Sequence, residues 1–298
     1  MPKEVQTGLS TAVGTTEIET AGAANQAIAG RPRPAVARLR PGCRGARAVR
    51  RIGCLIGAAV SLLAGIVTPV GAAPVAAKVM CHRYARASVA NGYLVRNDII
   101  SARDIECLII SADGFTIARS TARSRANDTM AFPNIFSGCE WGSCAREAGL
   151  PRRLSRLSDP VTSWRVRRPP PGLWDIGYDI WLSKRYQTTG QDLGAEIMIW
   201  IGTSGFRAST VRPVRIGGIR FWFHHHLACN VLGCWNYLLF RRVVQTDSVR
   251  NLRLAPFFRY AIRQHLLRRG WYLQSVEAGI EIWRGGTGFA VRSFSLRA

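Results

Sequence analysis

The chain has 298 residues and a formal net charge of +23, with 41 Lys and Arg against 18 Asp and Glu, and only three of the cations are Lys. That charge raises nucleic-acid binding, but the arginines are scattered, no nucleic-acid motif is present, and an export signal argues against it. The length allows one large or two small domains.

Residues 1–43 lack periodicity and aromatic material for a core, and disorder is expected there. A basic stretch at Arg44–Arg51 leads into apolar Ile52–Val67, then into small residues at Val70, Ala72 and Ala73. This order reads as a secretory signal peptide over 49–73. The apolar run is too short and too rich in Gly and Ala for a transmembrane span of about 20 residues, so no stable membrane insertion is expected after cleavage. Residues 1–48 then read as a segment upstream of the true translation start, with Val49 or Val36 as alternative starts. The domain is expected over 78–298. Six cysteines fall in it: Cys81, Cys107, Cys139, Cys144, Cys229 and Cys234. An even count behind an export signal implies disulfides in an oxidising compartment.

Strand-like runs dominate this part: 92–99, 105–120, 174–183, 195–203, 219–227, 235–244, 271–283 and 288–296. Turn clusters such as Asp113-Gly114 and Arg168-Pro169-Pro170-Pro171-Gly172 separate them. Helical spacing appears once, over 254–269, with Pro256 in the first turn and Gly270 as C-cap. Many strands and one helix imply a two-sheet sandwich or barrel.

Acids are scarce, so three inside apolar runs stand out: Asp179, Glu196 and Glu281. Side chains alternate along a strand. Glu196 therefore shares a face with Met198 and Trp200, Glu281 with Trp283, and Asp179 with Trp181, each opposite an aliphatic face. An uncompensated buried carboxylate costs several kcal/mol, which favours a cleft on that face. Carboxylates beside flat rings suit sugar chemistry, one for proton transfer and one for nucleophilic attack, with the rings stacking on pyranose faces.

The motifs FPNIFSGCEWGSC (132–144), YDIWLS (178–183), EIMIW (196–200), WYLQSVEAGIEIW (271–283) and GGTGFAVRSFSL (285–296), in this order and spacing, resemble glycoside hydrolase family 12. The resemblance runs from about Cys81 to the C-terminus. It implies an all-β, concanavalin-like jelly-roll sandwich with one helix on the convex side, and a secreted, retaining endo-β-1,4-glucanase needing no cofactor or metal. It makes Glu196 the nucleophile, Glu281 the acid/base, and Asp179 a partner that hydrogen-bonds and orients Glu196. Met198, Trp141, Trp181, Trp200, Trp283 and Asn97 become substrate-binding candidates. Trp164, Trp222 and Trp271 read as core. Cys81–Cys107 and Cys139–Cys144 follow as disulfides from the resemblance. Export favours a third bond between Cys229 and Cys234 over a metal site with His224 and His226. The partner is a β-glucan, the protein a monomer, and its location extracellular or in the cell envelope. Two departures bear on substrate: Ile100 stands where relatives carry a stacking tryptophan, and Glu140 where many have histidine. Alternative functions are a xyloglucan- or mixed-linkage-glucan hydrolase and a glucan-binding protein with weakened catalysis.

Overall fold

The computed structural model describes residues 78–124, 128–145, 149–190, 193–206, 212–230 and 233–298. The upstream segment and signal peptide expected within residues 1–73 lie outside the described residues.

In chain order the strands are β1 (Lys78–Met80), β2 (Arg86–Ser88), β3 (Leu94–Arg96), β4 (Glu106–Ser111), β5 (Gly114–Ser120), β6 (Asn134–Glu140), β7 (Ser143–Cys144), β8 (Arg152–Arg153) and β9 (Val161–Arg167). Then come β10 (Leu173–Ser183), β11 (Ala195–Ser204), β12 (Arg212–Ile216), β13 (Ile219–Asn230), β14 (Gly233–Arg242) and β15 (Ser248–Arg253). Helix α1 (Ala255–Arg263) precedes β16 (Tyr272–Arg284) and β17 (Ala290–Arg297). They form a two-sheet jelly roll. The outer sheet runs β1-β4-β5-β17-β9-β15. The inner sheet runs β12-β13-β14-β11-β10-β16-β6-β3-β2, with β7 on β6 and β8 on β16. At its centre β10 pairs antiparallel with β11 and β16, while β11 and β14 run parallel. Neighbours so distant in sequence are what a double-sheet roll requires.

Alternation supplies the core. Ile176, Tyr178 and Ile180 of β10, Ile197 and Ile199 of β11, and Val276, Ala278, Ile280 and Ile282 of β16 share one buried cluster with Leu108, Ile117, Trp164, Val166 and Val291 of the outer sheet. Each large aliphatic side chain so buried contributes about 1.5–3 kcal/mol. Trp164 meets Tyr178 edge-on across the sheets, with centroids 5.1 Å apart.

The helix is shorter than its sequence pattern. Phe257, Phe258, Tyr260 and Ala261 are buried, and Phe257 sits 5.3 Å from the Phe221 ring of β13 and 5.1 Å from Phe240 of β14. It ends at Arg263 because Gln264 leaves helical geometry and His265 takes φ +61°. The apolar spacing continues into Leu266, which packs on the core without being helical. Strands β6 and β9 were not among the runs picked out. In β9, Thr162, Trp164 and Val166 point inward, but interleaved Arg165 and Arg167 weaken the β-branched signal. Trp222 is also a correction. It is 37% exposed on β13, on the face opposite Phe221 and Phe223, because the core side of that strand is already filled by phenylalanine.

Candidate active site

The same alternation that sends aliphatic groups inward sends acids to the other face of the inner sheet. Glu196 lies on β11, Asp175 and Asp179 on β10, and Glu277 and Glu281 on β16. Register sets them in rows. Glu281 pairs with Asp175, Gly279 with Gly177, and Glu277 with Asp179, while Glu196 pairs with Trp181 on one side and Tyr237 on the other. The glycine row between the acidic rows is a packing requirement. A Cβ on Gly177 would come within 2.9 Å of the Trp200 ring, and one on Gly279 within 2.5 Å of the Pro133 carbonyl oxygen.

All five acids are buried, between 0% exposed at Asp175 and 8% at Asp179 and Glu281. Burial is the largest cause pushing each carboxyl well above the ordinary carboxylate range. Their hydrogen bonds then separate them. The Trp235 indole N–H donates to Glu196 Oε2 at 2.6 Å, which favours the ionised form. At Glu281 nothing pulls down, since burial and the neighbouring Asp175 carboxyl both push upward. Ser275 Oγ donates to Glu277 Oε1 at 2.8 Å.

Asp179 differs from the sequence reading in its partner. Its Oδ2 accepts from Trp181 Nε1 at 2.9 Å and its Oδ1 has no hydrogen bond, while its contact with Glu196 is charge repulsion. Register explains this: Asp179 faces Met198, and Glu196 lies one row further along.

Among the proposed sugar contacts, Met198 is buried beside Trp200, Trp235 and Tyr237 in an aromatic cluster on the acidic face, with half-buried Trp181 packed against it. Trp200 and Trp283 are covered, each ring lying against Phe206 at 5.3 and 5.1 Å. Trp141 sits in the turn after β6 at φ +43°. Asn97 is a correction. It is fully buried, and its amide donates to the backbone carbonyls of Met80 and Glu106 at 3.2 and 2.9 Å. It ties β1 to β4 and has no surface left for a sugar. Sequence reasoning missed Asp175, Glu277, Trp235, Tyr237 and Phe206. For the two acids the signal was present, since 175 shares the parity of 179 and 277 that of 281.

At the far end of the same sheet, Arg96 of β3 makes ion pairs with Asp98, at 3.3 Å, and with Glu140 of β6, all three being buried. The cysteines form three bonds, Cys81–Cys107, Cys139–Cys144 and Cys229–Cys234. The last closes the β13–β14 hairpin and takes both sulfurs out of any metal-ligand set.

Comparison with known proteins identifies the family. Residues 91–297 match the family model described as Glycosyl hydrolase family 12. The probable cellulase Cel12b of Mycobacterium tuberculosis is 27% identical over 150 residues, covering 50% of this chain and 96% of that protein. Endoglucanase cel12A from Rhodothermus marinus is 34% identical with a TM-score of 0.68, over 74% of this chain and 97% of that one. A family 12 xyloglucanase from Bacillus licheniformis shares the fold at 24% identity and a TM-score of 0.64, over 74% and 99% of the two chains. With its sheet order, its acidic face and a family match over most of its length, the chain belongs to glycosyl hydrolase family 12 and is a glycoside hydrolase of the cellulase type.

Proposed function

We propose that this protein is an exported endo-β-1,4-glucanase that cleaves internal bonds of cellulose-like glucans with retention, Glu196 acting as nucleophile and Glu281 as acid/base. The observation that carries this reading is the unequal treatment of the two glutamates. Glu196 receives an indole N–H that stabilises its charge, whereas every neighbour of Glu281 favours its proton. Environments that push two carboxyls apart assign acid and nucleophile.

In the first step the Glu281 proton passes to the glycosidic oxygen, the bond to the leaving sugar breaks, and a Glu196 oxygen bonds to the anomeric carbon. Forming the ester removes the charge of Glu196. Glu281 then takes a proton from water as the water oxygen attacks the same carbon, and Glu196 leaves as carboxylate. Asp179, repelled by Glu196 and held by Trp181, limits where the nucleophile can sit. Retention corresponds to carboxyls about 5–5.5 Å apart.

Azide separates the roles. With Glu196→Ala, azide enters the vacated space and attacks an activated β-glycoside directly, giving an α-glycosyl azide. With Glu281→Ala, a good leaving group still departs and azide attacks the ester, giving a β-glycosyl azide. Swapped products reverse the assignment. Near-normal hydrolysis by both variants removes the mechanism.

Export is supported by three disulfides and by the basic-apolar-small order of residues 44–73. Among the described residues no helix is long and apolar enough to cross a membrane. A second reading, xyloglucan or mixed-linkage glucan as substrate, draws on Ile100, half-buried where a ring platform would stand. Reducing-end release from carboxymethylcellulose, lichenan and xyloglucan in parallel ranks the substrates. Release from none favours a binding protein.

A further inference from the structure

Glu281 is not alone on its strand pair. Asp175 stands directly across from it in the β10–β16 register and is fully buried, and the two carboxyls act on each other electrostatically. Among the described residues no N–H or O–H donor reaches either oxygen of Asp175. Two ionised carboxylates offer only acceptors, so a hydrogen bond between the pair forms only when one of them is protonated. The other charged or titratable groups that act on the pair are Asp179 of β10, Glu196 of β11, and Tyr237 and Arg241 of β14, with Glu277 further along β16. Of these Arg241 favours ionised Asp175, and Asp179 opposes it.

We propose that Asp175 is a positioning residue that carries a proton in the working enzyme and forms one acid unit with Glu281. The proposal rests on the assignment of Glu281 as acid/base. Starting from the doubly protonated unit, Glu281 gives its proton to the glycosidic oxygen as the C–O bond breaks and the Glu196 ester forms. The Glu281 carboxylate left behind accepts a hydrogen bond from the Asp175 O–H. In the second step Glu281 takes a proton from the attacking water, Glu196 is released, and the unit again holds two protons. A unit that began with a single proton would end as two adjacent buried carboxylates, which resist ionising together. The singly protonated unit is therefore a poor acid. Activity falls when the unit loses its first proton, although Glu281 keeps the second to higher pH.

Asp175→Asn keeps the shape and removes the extra ionisation. Two readouts should then move in opposite directions. The alkaline edge of kcat/KM on cello-oligosaccharides rises by about one pH unit or more, the coupling expected of such pairs. The titration of Glu281, followed by carbon NMR of glutamate-labelled protein, moves down because a neighbouring charge is gone. A structural role for Asp175 would lower activity at every pH and leave the edge in place. An unmoved or lowered edge, in protein with native circular dichroism, overturns the proposal. Should that variant fail to fold, Arg241→Gln raises the edge instead, by removing the cation that favours ionised Asp175, and an unmoved edge there overturns it equally. Glu281→Gln is measured alongside. Retained hydrolysis of oligosaccharides in that variant defeats the assignment of Glu281, whereas lost hydrolysis with an unmoved Asp175→Asn edge defeats only the pairing.

Discussion

The inner sheet buries charge in two places, and the two are solved differently. At the β3–β6 end Arg96 forks between Asp98 and Glu140, so each carboxylate has a cation against it. At the centre, Asp175, Asp179, Glu196, Glu277 and Glu281 lie on three adjacent strands, with indole and hydroxyl donors and a distant share of Arg241 and Arg96. In the first cluster Arg96 offsets part of the cost of burial and the ion pairs hold strands together, although burial still pushes Asp98 upward. A cluster of unneutralised carboxyls holds protons at pH values where exposed acids have lost them, which is what proton transfer to a sugar oxygen needs. What sets the centre apart is several buried carboxyls gathered on neighbouring strands without a matching charge.

The sharpest break in this comparison comes from substituting one acid at each place. Glu281→Gln should lower kcat/KM on cello-oligosaccharides about 10²–10⁴-fold, the usual share of a general acid, with little change in melting temperature. Glu140→Gln should leave kcat/KM within a few-fold and lower stability instead. Steady-state rates and thermal melts on the two proteins decide it, and a large rate loss at Glu140 would extend the catalytic centre to the end of the sheet.

Removing the cation inverts the second cluster. Arg96→Met leaves Glu140 buried and unpaired and takes from Asp98 the cation that acts on it most strongly, and breaking a buried pair from one side costs about 3–5 kcal/mol. Denaturant unfolding should register that loss, and addition of Glu140→Gln should recover part of it. A loss under about 1 kcal/mol would mean that water already reaches the cluster.

The central cluster predicts an unusual pH dependence of stability. Each of its acids has a folded-state pKa raised above the unfolded value, mainly by burial. Between those two values the native state binds more protons than the unfolded chain, so stability falls as pH rises from about 4 upward. The melting temperature should decline across the neutral range, and Glu277→Gln should flatten the decline by removing one such group. A melting temperature that rises from pH 4 to pH 8 would show that the acids ionise in place without penalty.

How much of this was legible beforehand follows from the same contrast. Alternation and scarcity of acids exposed Asp179, Glu196 and Glu281, because a carboxyl among Ile and Trp breaks a strand's pattern. Asp175 and Glu277 obey the same parity, but each sits nearer a strand end or beside Ser and Ala, where an acid looks ordinary. The strands carrying the centre were readable from their β-branched runs, whereas arginine interleaved through β9 and β12 hid theirs. Asn97 reads as a sugar ligand through the family resemblance alone, whereas its amide is taken up by the backbone carbonyls of Met80, His82 and Glu106, partners with no local signature in the sequence. The cover that Phe206 places on Trp200 and Trp283 is a tertiary contact with no local signature.

The smallest expected effect concerns the edge of the Arg96 cluster. Ile100 follows β3 by four residues and is half-buried, with its N–H donated to the Met130 carbonyl and its own carbonyl bonded by Arg83. The backbone there is fixed on both sides, so a larger side chain at this position would be presented rather than swung away. Ile100→Trp adds a flat face worth about 1 kcal/mol of stacking on a pyranose ring, roughly a fivefold drop in KM for long oligosaccharides. The gain should appear in KM and leave kcat unchanged, since the ring would bind ground state and transition state alike. It should also vanish for substrates too short to span from the central carboxyls to β3. Oligosaccharides of increasing length, tested on both proteins, measure this directly. An equal gain on the shortest substrate would place residue 100 beside the reacting bond, and no gain at any length would mean that its side chain faces away from the glucan.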